Sequence, residues 1–190
     1  MKTLFLITGA VCSGKTTLAK QIGSAFNIPI FNEDIYGTFE SCLNNLKNCE
    51  QNHLLLEHCD AINNLQELKN FNVKIFVLNV NKNLLLKNYE NRKNTGATGD
   101  YLKINPLKQQ TDILNQASKL TCDIIEINNT ADYELALNSI TKSVALRLPK
   151  NILNKKVKHN LNIKQTKQFK DKYFAYYDDV KSNTHEVYDW

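Results

Sequence analysis

A chain of 190 residues with 42% hydrophobic and 23% charged residues has the makeup of one α/β domain with a real core and a short appendage. No stretch approaches the roughly 18 to 20 apolar residues that span a bilayer, and the apolar run at 4–7 is too short for a secretion signal, so a cytoplasmic setting is expected. The net charge of +5 is uneven: residues 1–146 balance, 147–172 set nine Lys/Arg against one Asp, and 173–190 set one Lys against four acids.

Short apolar runs alternate with longer amphipathic ones, which predicts an α/β fold with a mostly parallel sheet. Residues 4–8 read as the first buried strand, and 15–26 as a helix with Leu18, Ala19, Ile22 and Ala25 on one face. Pro29 sits in a short second strand, 28–32, which suggests a sheet edge. A helix is expected over 35–46, a third apolar run at 54–57 and a helical stretch over 60–71. The segment 73–80, rich in Val, Ile and Phe, is the clearest strand, with a helix over 83–91 after it. Residues 92–104 are polar, carry two glycines and read as a mobile loop. Pro106 can start a helix running to about Leu120. A last strand, 123–127, and a last helix, 132–146, complete a domain over 1–146, and Pro149 breaks the pattern. In the extension 147–190, Leu161, Gln165, Phe169, Tyr173, Tyr176 and Tyr177 fall at roughly helical spacing.

Five cysteines, Cys12, Cys42, Cys49, Cys59 and Cys122, form no C-x-x-C pair, which favours a reducing compartment over a disulfide framework. Cys42, Cys49, His53, His58 and Cys59 cluster, but their spacings match no zinc pattern, and buried thiols with helix-face histidines are the simpler reading.

One motif carries chemistry directly. Gly9, Ala10, Val11, Cys12, Ser13, Gly14, Lys15 and Thr16 fit G-x-x-x-x-G-K-[ST], with an apolar strand before and a helix after. The glycines let the backbone wrap a phosphate, and successive N–H groups with the positive helix end face the anion. Lys15 neutralises charge between the β- and γ-phosphates, Thr16 offers a hydroxyl to Mg²⁺, and Thr17 completes the nucleotide-contacting set. ATP and Mg²⁺ are therefore the expected ligands. The chain is short for a motor and lacks an N-K-x-D guanine signature, which leaves a kinase as the economical reading.

Strand, phosphate loop and helix, then an acid after the second strand and a basic segment after the fourth, resemble the small P-loop kinases over about residues 3–130. Within them the chain looks most like the phage polynucleotide 5′-hydroxyl kinases and zeta-toxin-like kinases. The resemblance implies three layers, with helices on both faces of a five-stranded parallel sheet ordered 2-3-1-4-5. It also implies roles for residues. Asp34, in Phe31-Asn-Glu-Asp34-Ile-Tyr36, stands where the family places the base for the acceptor hydroxyl, with Glu33 as substitute and helix capping as the alternative. Glu57, closing Leu54-Leu-Leu-Glu57, resembles a carboxylate that supports the Mg²⁺ shell; an exposed strand end is the other reading. Arg92 opens the segment matching the family's lid, 92–104, and is the candidate for the arginine on the migrating phosphoryl group. It is one of only two arginines, with Arg147, against 22 lysines. Asn128, Asn129 and Thr130 stand where related kinases bind adenine.

The acceptor is less determined. The basic segment 147–172 and nearby aromatics suit a nucleic acid, whose acceptor would be a 5′ end or a hydroxymethylated base, and equally suit the wet and core faces of a packed helix. A nucleoside or nucleoside monophosphate kinase shares the same core without needing that segment. A non-enzymatic ATP-binding module is the third reading, disfavoured by base, lid and phosphate loop together.

Overall fold

The computed structural model describes residues 1–95 and 103–149. The extension beyond Pro149, with its expected helix and most of its lysines, and the middle of the expected lid lie outside the described residues.

Apolar alternation builds the sheet. In β1 (Lys2–Gly9) Leu4 and Leu6 enter one core, Phe5 and Ile7 the other, as the two-residue repeat of a strand requires when both faces are covered. The same alternation holds in β3 (His53–Glu57) and β4 (Phe71–Val80). With β2 (Ile30–Phe31) and β5 (Asp123–Ile127) at the edges, the parallel sheet runs β2-β3-β1-β4-β5. This is the order that the resemblance implied. Pro29 fits the edge position, although it precedes the strand, and its carbonyl accepts Leu55 N–H at 3.0 Å.

Helices α1 (Lys15–Phe26), α4 (Lys82–Asn94) and α6 (Asp132–Ala145) cover the face holding Phe5, Ile7, Phe76 and Leu78. Helices α3 (Phe39–Asn48) and α5 (Pro106–Ala117), with a 3₁₀ helix at Ala61–Leu68, cover the face holding Leu4, Leu6, Leu56 and Val77. The 3₁₀ helix replaces the α-helical stretch expected over 60–71, and non-helical dihedrals at Asn64 kink it. The single helix expected over 35–46 is two, α2 (Glu33–Tyr36) and α3. Gly37 breaks them at φ +80°, and Thr38 restarts the chain by capping Ser41 N–H.

Every strand points its carboxyl end to the same side. Ile7 pairs with Glu57 and Gly9 with Leu78, so the loops leaving β1, β3 and β4 converge at the centre of the sheet. This is where open α/β sheets hold their ligands.

Candidate active site

The loop between β1 and α1 is buried throughout, from Gly9 to Thr16. Its shape demands unusual backbone. Gly14 has φ +85° and Cys12 φ +64°, a conformation that costs a non-glycine residue about 1–2 kcal/mol. Gly14 also lies flat against Tyr133, since a Cβ there would meet the ring at 2.5 Å. Ser13 N–H closes the turn onto Ala10 O at 3.1 Å.

Three distant side chains brace this loop from outside. Tyr133 Oη donates to Ser13 O at 2.9 Å, Asn88 Nδ2 donates to Cys12 O at 3.2 Å, and Val11 N–H donates to Gln109 Oε1 at 2.7 Å. Gln110, next to Gln109 on α5, clasps both N–H and O of Val80 at the end of β4. None of these residues carries a local sequence signal; their partners lie 30 to 120 positions away.

Inside the loop, charge is gathered around Glu57. It is only 5% exposed, which excludes the exposed strand end. Thr16 Oγ1 donates to its Oε2 at 3.0 Å, Asn32 Nδ2 to the same oxygen at 3.3 Å, and Lys15 Nζ stands 3.6 Å from Oε1. Lys15 also approaches Ala10 O at 3.5 Å. Burial pulls the Lys15 ammonium down, while Cys59 and Glu57 push it up; the net result lies above the ordinary lysine range, so the side chain stays charged.

Asp34 sits on α2, whose N-cap is Asn32 and not Asp34 itself: Asn32 Oδ1 accepts Ile35 N–H at 3.1 Å. The residue is exposed, yet partial burial lifts its carboxyl above the usual aspartate range against the pull of Lys15, Arg92 and Lys20. Arg92 is not in a loop. It lies in the last turn of α4 and is only 5% exposed. The helix runs three residues past the expected end because Tyr89 and Arg92 both turn inward. Lys15 and Arg92 thus both pull on the Asp34 carboxyl, so the three charges lie within electrostatic reach of one another. Asn128, Asn129 and Thr130 lie exposed after β5, with Asp132 accepting the N–H groups of Asn128 and Asn129 at 2.7 and 3.2 Å.

His58 is a residue that sequence reasoning placed only among candidate metal ligands. Its Nδ1 accepts Asp60 N–H at 2.9 Å, so the neutral ring carries its hydrogen on Nε2, which faces Glu33 Oε2 at 3.1 Å. Phe39 packs on the ring at 4.3 Å between centroids. Among the described residues, no group of three or more His, Cys, Asp or Glu is placed to hold a metal ion. Glu33, the substitute base, thus stands beside the His58 ring, on α2, a short helix with no buried residue of its own. His58→Ala should lower stability by about 1–3 kcal/mol, and His58→Gln, which keeps a donor near the Nε2 position, should recover part of it in thermal unfolding. Equal unfolding temperatures for parent and His58→Ala would remove His58 from this role.

The loop fits a nucleotide phosphate. No side chain caps the first turn of α1, and the buried Ser13 and Thr17 hydroxyls have no partner among the described residues. Thr16 and Glu57 offer hard oxygen donors of the kind Mg²⁺ takes.

No family model matches the sequence, and no curated protein matches it. Solved structures do match in shape. A candidate kinase from Chloroflexus aurantiacus superposes with a TM-score of 0.58 at 15% identity, over 78% of this chain and 99% of that one. Shikimate kinase from Bacteroides thetaiotaomicron gives 0.53 at 16% identity, over 75% and 98%. Shikimate kinase from Acinetobacter baumannii, solved with shikimate, gives 0.53 at 19% identity, over 78% and 97%.

The fold is the P-loop kinase fold. Within it, the described residues 1–95 and 103–149 hold a five-stranded parallel sheet, six α-helices and the phosphate loop.

Proposed function

We propose that this chain transfers the γ-phosphoryl group of ATP to a hydroxyl of a small molecule. The chief support is the buried cluster under the phosphate loop, in which Lys15, Thr16 and Glu57 meet with Asp34 and Arg92 at its rim. In this reading the acceptor oxygen forms a bond to the γ-phosphorus, the bond to the β-phosphate oxygen breaks, and ADP leaves. Asp34 takes the proton released by the acceptor hydroxyl. Lys15 and Arg92 neutralise charge that spreads over the phosphoryl oxygens during transfer. Thr16 and Glu57 would hold Mg²⁺, which supplies further charge neutralisation across the phosphates.

The small acceptor is favoured by the neighbouring folds, among which shikimate kinase was solved with a small alcohol, shikimate. A nucleic-acid acceptor, as in the polynucleotide 5′-hydroxyl kinases, is favoured only by the basic segment 147–172, most of which lies outside the described residues. A transfer assay with radiolabelled ATP, offering small alcohols beside 5′-hydroxyl and hydroxymethyl-base oligonucleotides, tests the choice. Label on small alcohols is expected; label confined to the oligonucleotides would reverse it.

The base assignment has its own test. Because the Asp34 carboxyl is held above its usual range, it ionises later as pH rises. The acid limb of kcat/KM should therefore lie above the roughly 3.9 of an ordinary aspartate. Asp34→Asn should lower kcat by about 100- to 10,000-fold and abolish that limb, with ATP affinity retained. An unchanged pH profile in the variant would reassign the base.

A further inference from the structure

A cavity of about 240 Å³ opens where the 3₁₀ helix after β3 faces the start of α5. Asp60 and Asn63 line one side, and Asn105, Lys108, Gln109 and Asp112 the other. Contacts of its lining residues lead to the phosphate loop and to α2. Gln109 reaches from the cavity to the phosphate loop through Val11 N–H. Asp60 is bonded through its own amide to His58, whose far nitrogen meets Glu33 beside Asp34.

The lining has a definite chemistry. Gln109 Oε1 is taken by Val11, and Asn105 Oδ1 by the N–H groups of Leu107 and Lys108. Their NH₂ ends and the Lys108 ammonium are then the donors left to a ligand, against the carboxylates of Asp60 and Asp112 as acceptors. A lining that offers both donors and acceptors suits hydroxyl groups, each of which gives one hydrogen bond and takes others.

Charge narrows the class. Among the described residues of the lining one lysine stands with two aspartates, and Lys108 lies one helical turn from Asp112, so their excess is negative. No arginine lines the cavity. Arg92 is buried at the end of α4, and Arg147 is bonded to Ser143 at the end of α6. A carboxylate or phosphate on the acceptor would meet net negative charge and no planar fork to grip it, in a cleft that concentrates the field. The volume, below the roughly 300–1,000 Å³ of pockets for drug-sized ligands, limits size as well.

We propose that this cavity is the acceptor pocket, and that its ligand is a small polyol without negative charge, neutral or amine-bearing. The proposal rests on the phosphotransfer reading above, and its test separates the two.

ATP binding by the purified full chain is measured first, by calorimetry; a chain that binds no ATP overturns the phosphotransfer reading and the pocket assignment with it. Radiolabel transfer is then compared across neutral polyols, amino sugars, hydroxy acids and nucleoside monophosphates. The first two groups should exceed the last two by about tenfold or more in kcat/KM. Asp112→Lys should shrink that preference by about tenfold, Asp60→Asn should shrink it less, and both should keep the parent Kd for ATP. Three results would overturn the pocket assignment while leaving phosphotransfer standing. They are hydroxy acids or monophosphates matching the polyols, transfer to hydroxy acids or monophosphates with none to any polyol, and a preference that neither variant moves.

Discussion

Lys15→Ala should lower kcat by about 100- to 1,000-fold, the loss seen when one charge-stabilising donor is removed from a transferring group. Among the described residues, Lys15 is the lysine that meets Glu57. It is 5% exposed, within 3.6 Å of Glu57, and remains protonated because Cys59 and Glu57 together outweigh the effect of burial. Its removal strips a charge that solvent does not reach. Stability should fall too, by less than the roughly 3–5 kcal/mol of a stranded buried carboxylate, because Thr16 and Asn32 still donate to Glu57. Single-turnover transfer and thermal unfolding separate the two losses. A kcat within a few-fold of the parent, in a folded variant, would refute the role given to Lys15.

Gly14→Ala should be the most damaging single methyl group in the chain. Two independent penalties meet there. At φ +85° an alanine pays about 1–2 kcal/mol for its backbone alone. The added Cβ would also stand 2.5 Å from Tyr133 Cε1, far inside contact distance, so either the ring or the loop must shift. Tyr133 is held by its bond to Ser13 O and by burial among α6 residues, so the loop is the softer partner, and its displacement opens the phosphate cradle. The expected result is a loss of about 2–4 kcal/mol and of measurable nucleotide affinity. The double variant Gly14→Ala/Tyr133→Ala separates the terms: the clash disappears and the dihedral cost remains. The double variant is expected to be less destabilised than the sum of the two single variants by about 1 kcal/mol or more. Strict additivity would mean that ring and glycine do not meet.

Much of this site is legible in the sequence because its signals are local. The phosphate loop is eight contiguous residues, and α1 and β5 begin and end where apolar spacing places them, at Lys15–Phe26 and Asp123–Ile127. The split at Gly37-Thr38 was also written locally, as a glycine followed by a capping threonine, but the apolar periodicity running across it masks the break. Other features depend on register. Glu57 reads equally as ligand or strand end until β3 pairs with β1 and sets it opposite Ile7. Arg92 looks like the start of a polar loop because inward-facing charge leaves no apolar period to count. Gln109, Asn88, Tyr133 and His58 are ordinary helix and loop residues in sequence; only the folded sheet brings them to the phosphate loop and to α2.

The paired glutamines of α5 have a mechanical consequence. Gln109 rivets that helix to the phosphate loop and Gln110 rivets it to the end of β4, while Asn88, one turn before Arg92 on α4, ties the opposite wall to Cys12. The phosphate loop is therefore clamped from both sides of the sheet, and loosening either glutamine or Asn88 would be felt in the cradle without touching any residue of the loop itself.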